Sequence, residues 1–136
     1  MVEYASITAA LAILTASLAG ALSSGVPLPT NDVRGTALVV KAARSERADV
    51  SEARAAYAKA PFRKPALRYL YAVGWITASS DPAACHTGLL LGPKPKIQAA
   101  QAIQRSPKLL ARIRAARLTV SQAATALGRG TTDGCT

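Results

Sequence analysis

Residues 65–78 read PALRYLYAVGWITA, and this stretch decides the fold class. Proline is well placed at the first position of a helix, because an N–H there would have no partner within the helix. The larger residues follow at spacings of three and four, which is the period of one helix face, and no stretch of the chain shows the two-residue period of a strand. The pattern predicts a helix from Pro65 to about Ala78 in an all-α protein.

The sequence on both sides of this helix is also typical of helices. Half of the chain is hydrophobic, mainly Ala, Leu, Val and Ile, and only 4% is aromatic, which favours helices over sheets. Caps, cap–Pro pairs or helical periodicity mark five further segments. They are residues 36–47; residues 52–59, opened by Ser51; the segments after Asp81-Pro82 and Ser106-Pro107; and a last helix capped by Thr119 or Ser121 and ended by Gly128. We therefore expect a compact domain of five or six short helices over residues 36–136.

The N-terminal segment has a different character. Residues 5–24 hold no charged side chain, and a helix of that length spans about 30 Å, the thickness of a bilayer core. Small side chains recur in it every four residues, a spacing that lets membrane helices approach closely. These residues are Ala12, Ala16, Gly20 and Ser24. We expect residues 1–24 to form a hydrophobic membrane or assembly helix and residues 25–35, rich in proline and glycine, to form a linker.

The first residues carry a family resemblance. Val2-Glu3-Tyr4-Ala5, followed directly by the uncharged segment, resembles the N-terminus of the tight-adherence (Tad/Flp) class of type IV pilins and pilin-like proteins. Glu3 and Tyr4 match the family motif, and the helix after them matches in character. The resemblance implies a subunit that this helix anchors in the membrane and later joins to copies of itself in a filament core, where Glu3 pairs with a neighbour's terminal amine. The helical domain is then displayed outside the cell. A basic leader upstream of Met1 is implied as well.

The charge distribution leaves a second interpretation open. Residues 1–32 contain no Lys or Arg, and the other 104 residues contain all 17. So basic a domain attracts anionic polymers or nucleic acid. The cations that we expect to bind such a polyanion are Arg105, Lys108, Arg112, Arg114 and Arg117. Because no cation precedes the apolar segment, the positive-inside rule would keep the domain in the cytoplasm, although long domains cross a membrane regardless of charge. The alternative function is therefore a cytoplasmic, basic, helical protein that binds nucleic acid.

One short segment bears on that alternative. Residues 118–128 resemble the first helix of a helix-turn-helix, with small alanines and a glycine at the turn. The eight residues that follow are too few, and too rich in glycine and threonine, to form a recognition helix. The aromatic residues between Tyr57 and Trp75 could stack on bases, but their helical spacing favours a place in the core.

The residue types that enzymes use do not form a recognisable set. His86, the only histidine, follows Cys85 directly, and adjacent side chains on a helix diverge by about 100°, so the two do not form a nucleophile–base pair. Cys85, His86 and Cys135 are one short of the four ligands of structural zinc. The sequence contains neither a phosphate-binding glycine loop nor a serine elbow. We expect no enzyme activity, no metal and no cofactor.

The two cysteines are expected to form a disulfide. Cys85 follows Asp81-Pro82 at the start of a helix, and Cys135 ends a glycine-rich tail that would fray without a tether. The bridge would close a loop of about 50 residues, which in the chain-entropy model stabilises a fold by roughly 4 kcal/mol. The resemblance agrees, since many type IV pilins close their C-terminal region with a cysteine pair. Two free thiols in a cytosolic protein are the alternative, because two cysteines are too few to fix the compartment.

Overall fold

The computed structural model describes residues 25–87 and 94–135. These residues form seven helices and no strand, so the all-α class is confirmed for this part of the chain. In chain order the helices are α1 (Asp32–Ser45), α2 (Val50–Lys59), α3 (Pro65–Ser79), α4 (Pro82–Thr87), α5 (Pro95–Gln104), α6 (Pro107–Ala115) and α7 (Val120–Gly134). The additional helix relative to the expected five or six is α5, which begins at Pro95 in a segment that had no separate prediction.

Two of the predicted helix caps occur in the structure, and a third is replaced by a nearby residue. Ser106 and Thr119 each accept a hydrogen bond from the backbone N–H of the third residue of their helix, at 3.3 and 3.0 Å, and Thr119 forms a full capping box. Both predicted caps are therefore confirmed. The cap of α2 is Asp49 rather than Ser51, because the Asp49 carboxylate accepts the bond at 2.9 Å and α2 already begins at Val50.

α3 and α7 are the central pair of the domain and make its most extensive helix–helix contact. α1 and α2 pack on α3 and on each other, whereas α5 packs on α7 and α6 contacts both α5 and α7. The core lies between these two groups. Its fully buried large side chains include Leu70 and Ile76 of α3, Ile103 of α5, Ile113 of α6 and Leu127 of α7.

The corner between α1 and α2 is built like the corner between α6 and α7. An arginine with positive φ lies two residues past the end of the first helix of each pair, Arg47 at 55° and Arg117 at 58°. The next residue, Ala48 or Leu118, donates a backbone hydrogen bond across the end of the first helix. A side-chain cap and a Val-Ser pair then open the second helix. The same local design therefore sets the direction of α2 and of α7.

The predicted linker over residues 25–35 is shorter in the structure. α1 begins at Asp32, and its cap is Asn31, which accepts the Arg34 N–H at 2.8 Å. Leu28 is only 3% exposed and belongs to the core, and Pro29 is fully buried. The domain therefore begins near Leu28 instead of Thr36, because burying an apolar side chain is favourable wherever the core can receive it.

The prediction that the last helix ends at Gly128 is wrong. α7 continues to Gly134 and packs against α3, so the expected glycine-rich tail is the second half of a helix. Glycine is a poor helix former, yet tertiary contacts routinely override propensity. Here Gly130 and Gly134 lie directly against the backbone of Tyr71 and Trp75, where a larger residue would not fit.

Candidate assembly and interaction surfaces

A disulfide joins Cys85 of α4 to Cys135, the residue that follows α7. The two Cα atoms are 5.4 Å apart, within the range that a disulfide spans. The predicted pairing is therefore confirmed, although the segment that it holds is helical and not a loose tail. The bridge ties the C-terminal end of α7 to the helix that follows α3.

The α3–α7 contact depends on glycines from both helices. A Cβ on Gly74 of α3 would lie 2.5 Å from the Leu127 carbonyl oxygen, and a Cβ on Gly130 of α7 would overlap the Tyr71 carbonyl oxygen. These are backbone atoms, which cannot rotate away as a side chain can. The two helices consequently approach more closely than larger side chains at these positions would permit.

A phenol–carboxylate hydrogen bond reinforces the end of the same contact. Tyr71 Oη donates to Asp133 Oδ2 at 2.5 Å, and the exposed Arg129 side chain forms an ion pair with that carboxylate at 3.4 Å. Burial, and then the bond to the carboxylate, raise the pKa of Tyr71 to about 12. Asp133 thus has a structural role in the folded C-terminal helix. The sequence analysis did not predict this role, because it expected a tail at this position.

A second tyrosine ties the N-terminal end of the domain to its centre. Tyr57 Oη donates to Asp32 Oδ1 at 2.7 Å, and burial together with this bond raises the pKa of Tyr57. The Arg68 guanidinium lies 5.4 Å from the centre of the Tyr57 ring and donates to the Ala58 carbonyl oxygen at 2.7 Å. The Tyr57 ring also covers Gly35 of α1. The residues assigned to the linker from Asp32 onward are therefore held by the domain.

The five cations expected to bind a polyanion fall into two groups. Four of them are exposed, namely Arg105, Lys108, Arg114 and Arg117. Arg112 is only 7% exposed, so its assignment to a polyanion-binding surface is corrected. Burial raises the pKa of Tyr69, and the Arg112 guanidinium, hydrogen-bonded to that phenol, partly offsets the rise. Arg112 faces the core because it shares the buried side of α6 with Leu109 and Ile113.

The predicted assembly residues lie outside the part of the chain that the structure describes. They are Glu3, Tyr4, Ala12, Ala16, Gly20 and Ser24, together with the predicted apolar helix that contains them. The His86 side chain also lies outside it. Among the helices of residues 25–87 and 94–135, none has the length and apolar character that a membrane span requires. No three metal-ligating side chains come together in the same residues.

Comparisons with known proteins identify no protein related to this chain. No protein-family model, no curated protein and no solved structure matches this chain.

Proposed function

We propose that this chain is a pilin-like structural subunit, whose N-terminal segment lies in the membrane or a filament core and whose basic helical domain is displayed outside the cell. The observation that carries the proposal is the Cys85–Cys135 disulfide. Disulfides persist in oxidising compartments and are rare in the cytosol. Together with the Glu3-Tyr4 pattern and the uncharged segment after it, the bridge favours an exported protein.

The way the domain begins also supports this proposal. A filament subunit has to transmit the position of its core helix to the domain that it displays. Leu28 and Pro29 are buried in the domain, so only residues 25–27 separate this anchored point from the apolar segment. So short a connection restricts the orientation of the domain far more than the eleven-residue linker expected from the sequence.

The alternative function, a cytoplasmic nucleic-acid-binding protein, receives less support from the fold. Residues 118–128, which resemble the first helix of a helix-turn-helix, contribute fully buried alanines and Leu127 to the core. The aromatic side chains Tyr57, Tyr69 and Tyr71 are buried as well, so they are not available for stacking on bases. A cytosolic protein would also rarely keep its two cysteines paired.

The small-residue stripe of the N-terminal segment provides the test of assembly. In the cell that produces the protein, Gly20→Leu should reduce chemically cross-linked multimers, because a bulky side chain blocks close helix approach. Leu18→Ile is the matched control, since it changes the shape of an apolar side chain away from the stripe. Equal multimer yields for the two variants would contradict the assembly role.

Export is tested separately on the same cells. Protease added outside intact cells should cleave the domain, and protein isolated with a thiol-blocking reagent should carry no blocked cysteine. Resistance of the domain to protease until the cells are lysed, or two blocked thiols, would indicate that the domain lies in the cytoplasm. Either result would refute the proposal.

A further inference from the structure

The charges of the domain are unevenly distributed along the chain. Between Lys94 and Thr132 there are eight Lys or Arg residues and no Asp or Glu, so this stretch has a formal charge of +8. The carboxylates of the described residues lie elsewhere, between Asp32 and Asp81 and at Asp133. The acid-free stretch contains α5, α6 and most of α7. Arg129, near the end of the stretch, pairs with Asp133. Exposed cations that have no carboxylate nearby attract anions from outside.

The exposed side of α5 combines cations with an apolar residue. Residues 94, 97, 101 and 105 follow one another at spacings of three and four, so they lie on one side of this helix, and all four are exposed. They are Lys94, Ile97, Gln101 and Arg105. Ile97 is 52% exposed, one of two large hydrophobic residues so exposed in the described part of the chain. The opposite side of α5 is buried in the core.

α6 extends this surface from the corner at Arg105. Lys108 and Arg114 are exposed, and the exposed side of α6 also holds Pro107, Ala111 and Ala115. We define the basic face as Lys94, Ile97, Arg105, Lys108 and Arg114. Within the described residues, none of its four cations forms an ion pair with a carboxylate.

We propose that the basic face docks on the anionic headgroups of a membrane surface, which rests on the proposed function for a membrane-anchored N-terminal segment. Cations attract anionic lipid, and an exposed aliphatic side chain among them can enter the boundary between headgroups and acyl chains. Nucleic acid fits less well, because no described aromatic side chain is exposed for stacking and Ile97 offers nothing to a phosphodiester backbone.

Amide hydrogen exchange of the full chain in lipid vesicles tests the docking. The backbone N–H of Ile97, in the first turn of α5, has no acceptor within the helix and exchanges rapidly unless something covers it. Its exchange should be slower in vesicles of equimolar phosphatidylcholine and phosphatidylglycerol than in pure phosphatidylcholine. The difference should disappear in 1 M salt, where the screening length is about 3 Å. Equal exchange in the two lipids at low salt would overturn the proposal.

A matched pair of variants separates this face from total charge. Lys94→Ala with Lys108→Ala should reduce the docked-to-undocked ratio about 25-fold, since each cation near an anionic surface contributes about five-fold. Arg34→Ala with Lys41→Ala removes the same charge from exposed positions of α1 and should leave the ratio unchanged. Equal losses in both variants would show a net-charge effect and refute a specific face.

Two further measurements distinguish the possible failures. The first is flotation of the chain with pure phosphatidylcholine vesicles in 1 M salt, which measures membrane binding by the N-terminal segment alone. A chain that does not float contradicts the proposed function. The basic face is still tested in that case by the difference between the two lipids at low salt. A short DNA duplex added to chain in neutral vesicles is the competing ligand. Slower exchange at Ile97 with DNA, but not with anionic lipid, would overturn docking on lipid in favour of nucleic acid.

Discussion

Gly74→Ala in the middle of α3 is expected to destabilise the domain, although alanine is the better helix former. The added Cβ would lie 2.5 Å from the Leu127 carbonyl oxygen and 3.1 Å from the Thr131 nitrogen, and both are backbone atoms of α7. Ordinary contact begins at 3.4 Å, so α3 and α7 must separate locally by 3.4 − 2.5 = 0.9 Å. A gap of that size loses up to about half of the dispersion attraction between the facing atoms.

The overpacking cost exceeds the gain in helix propensity, so the net effect of Gly74→Ala on stability is a loss. Overpacking of this kind costs about 1–3 kcal/mol, and the upper end applies because the contact is the most extensive in the domain. The helix propensity of alanine offsets about 1 kcal/mol. We expect a net loss of about 2 kcal/mol in the free energy of unfolding. For a domain of this size, that loss lowers the melting temperature by roughly 8 °C.

Thermal unfolding of residues 25–136, followed by circular dichroism, measures this loss. Gly25→Ala is the control, because nothing lies within 4 Å of its added Cβ. Gly128→Ala should fall between the two, since its Cβ would approach the backbone of Lys96 and Pro95 at 3.1–3.3 Å. A melting temperature for Gly74→Ala at or above that of the unchanged domain would refute the close α3–α7 approach.

Three further predictions concern the ends of the domain and its polar ties. Residues 25–136 should unfold cooperatively, whereas residues 29–136 should be less stable by about 3 kcal/mol because the buried Leu28 is lost; equal melting temperatures would exclude Leu28 from the core. Replacing Cys85 and Cys135 together by serine should lower the unfolding free energy by about 4 kcal/mol in urea titrations, and an unchanged midpoint would contradict a structural bridge. The folded-state pKa of Tyr71, about 12, lies above its ordinary value, so its contribution to the free energy of unfolding is complete below pH 10 and is lost as the pH rises through 12. Tyr71→Phe should remove that part of the pH dependence of the melting temperature, and an unaltered pH profile would contradict this prediction.

Local sequence chemistry was sufficient for the class of the fold and for most helix starts. Pro65, Ser106 and Thr119 each act on the first turn that follows them, so their effect is visible without knowledge of the rest of the chain. The pairing of Cys85 with Cys135 was also predictable, because only two cysteines are present. The exposure of Lys108 and Arg114 followed from the helical period, which places them away from Leu109 and Ile113.

What the sequence by itself determined was therefore an all-helical, basic domain with one disulfide. Only the tertiary structure decided which helix faces another, and that choice overturned three local expectations. Leu28 joined the core, Arg112 turned inward beside Tyr69, and α7 ran past Gly128 to Gly134. In each case a contact with a distant part of the chain outweighs a local preference, because burial and close packing depend on what lies opposite a residue in space, which its neighbours in sequence do not reveal.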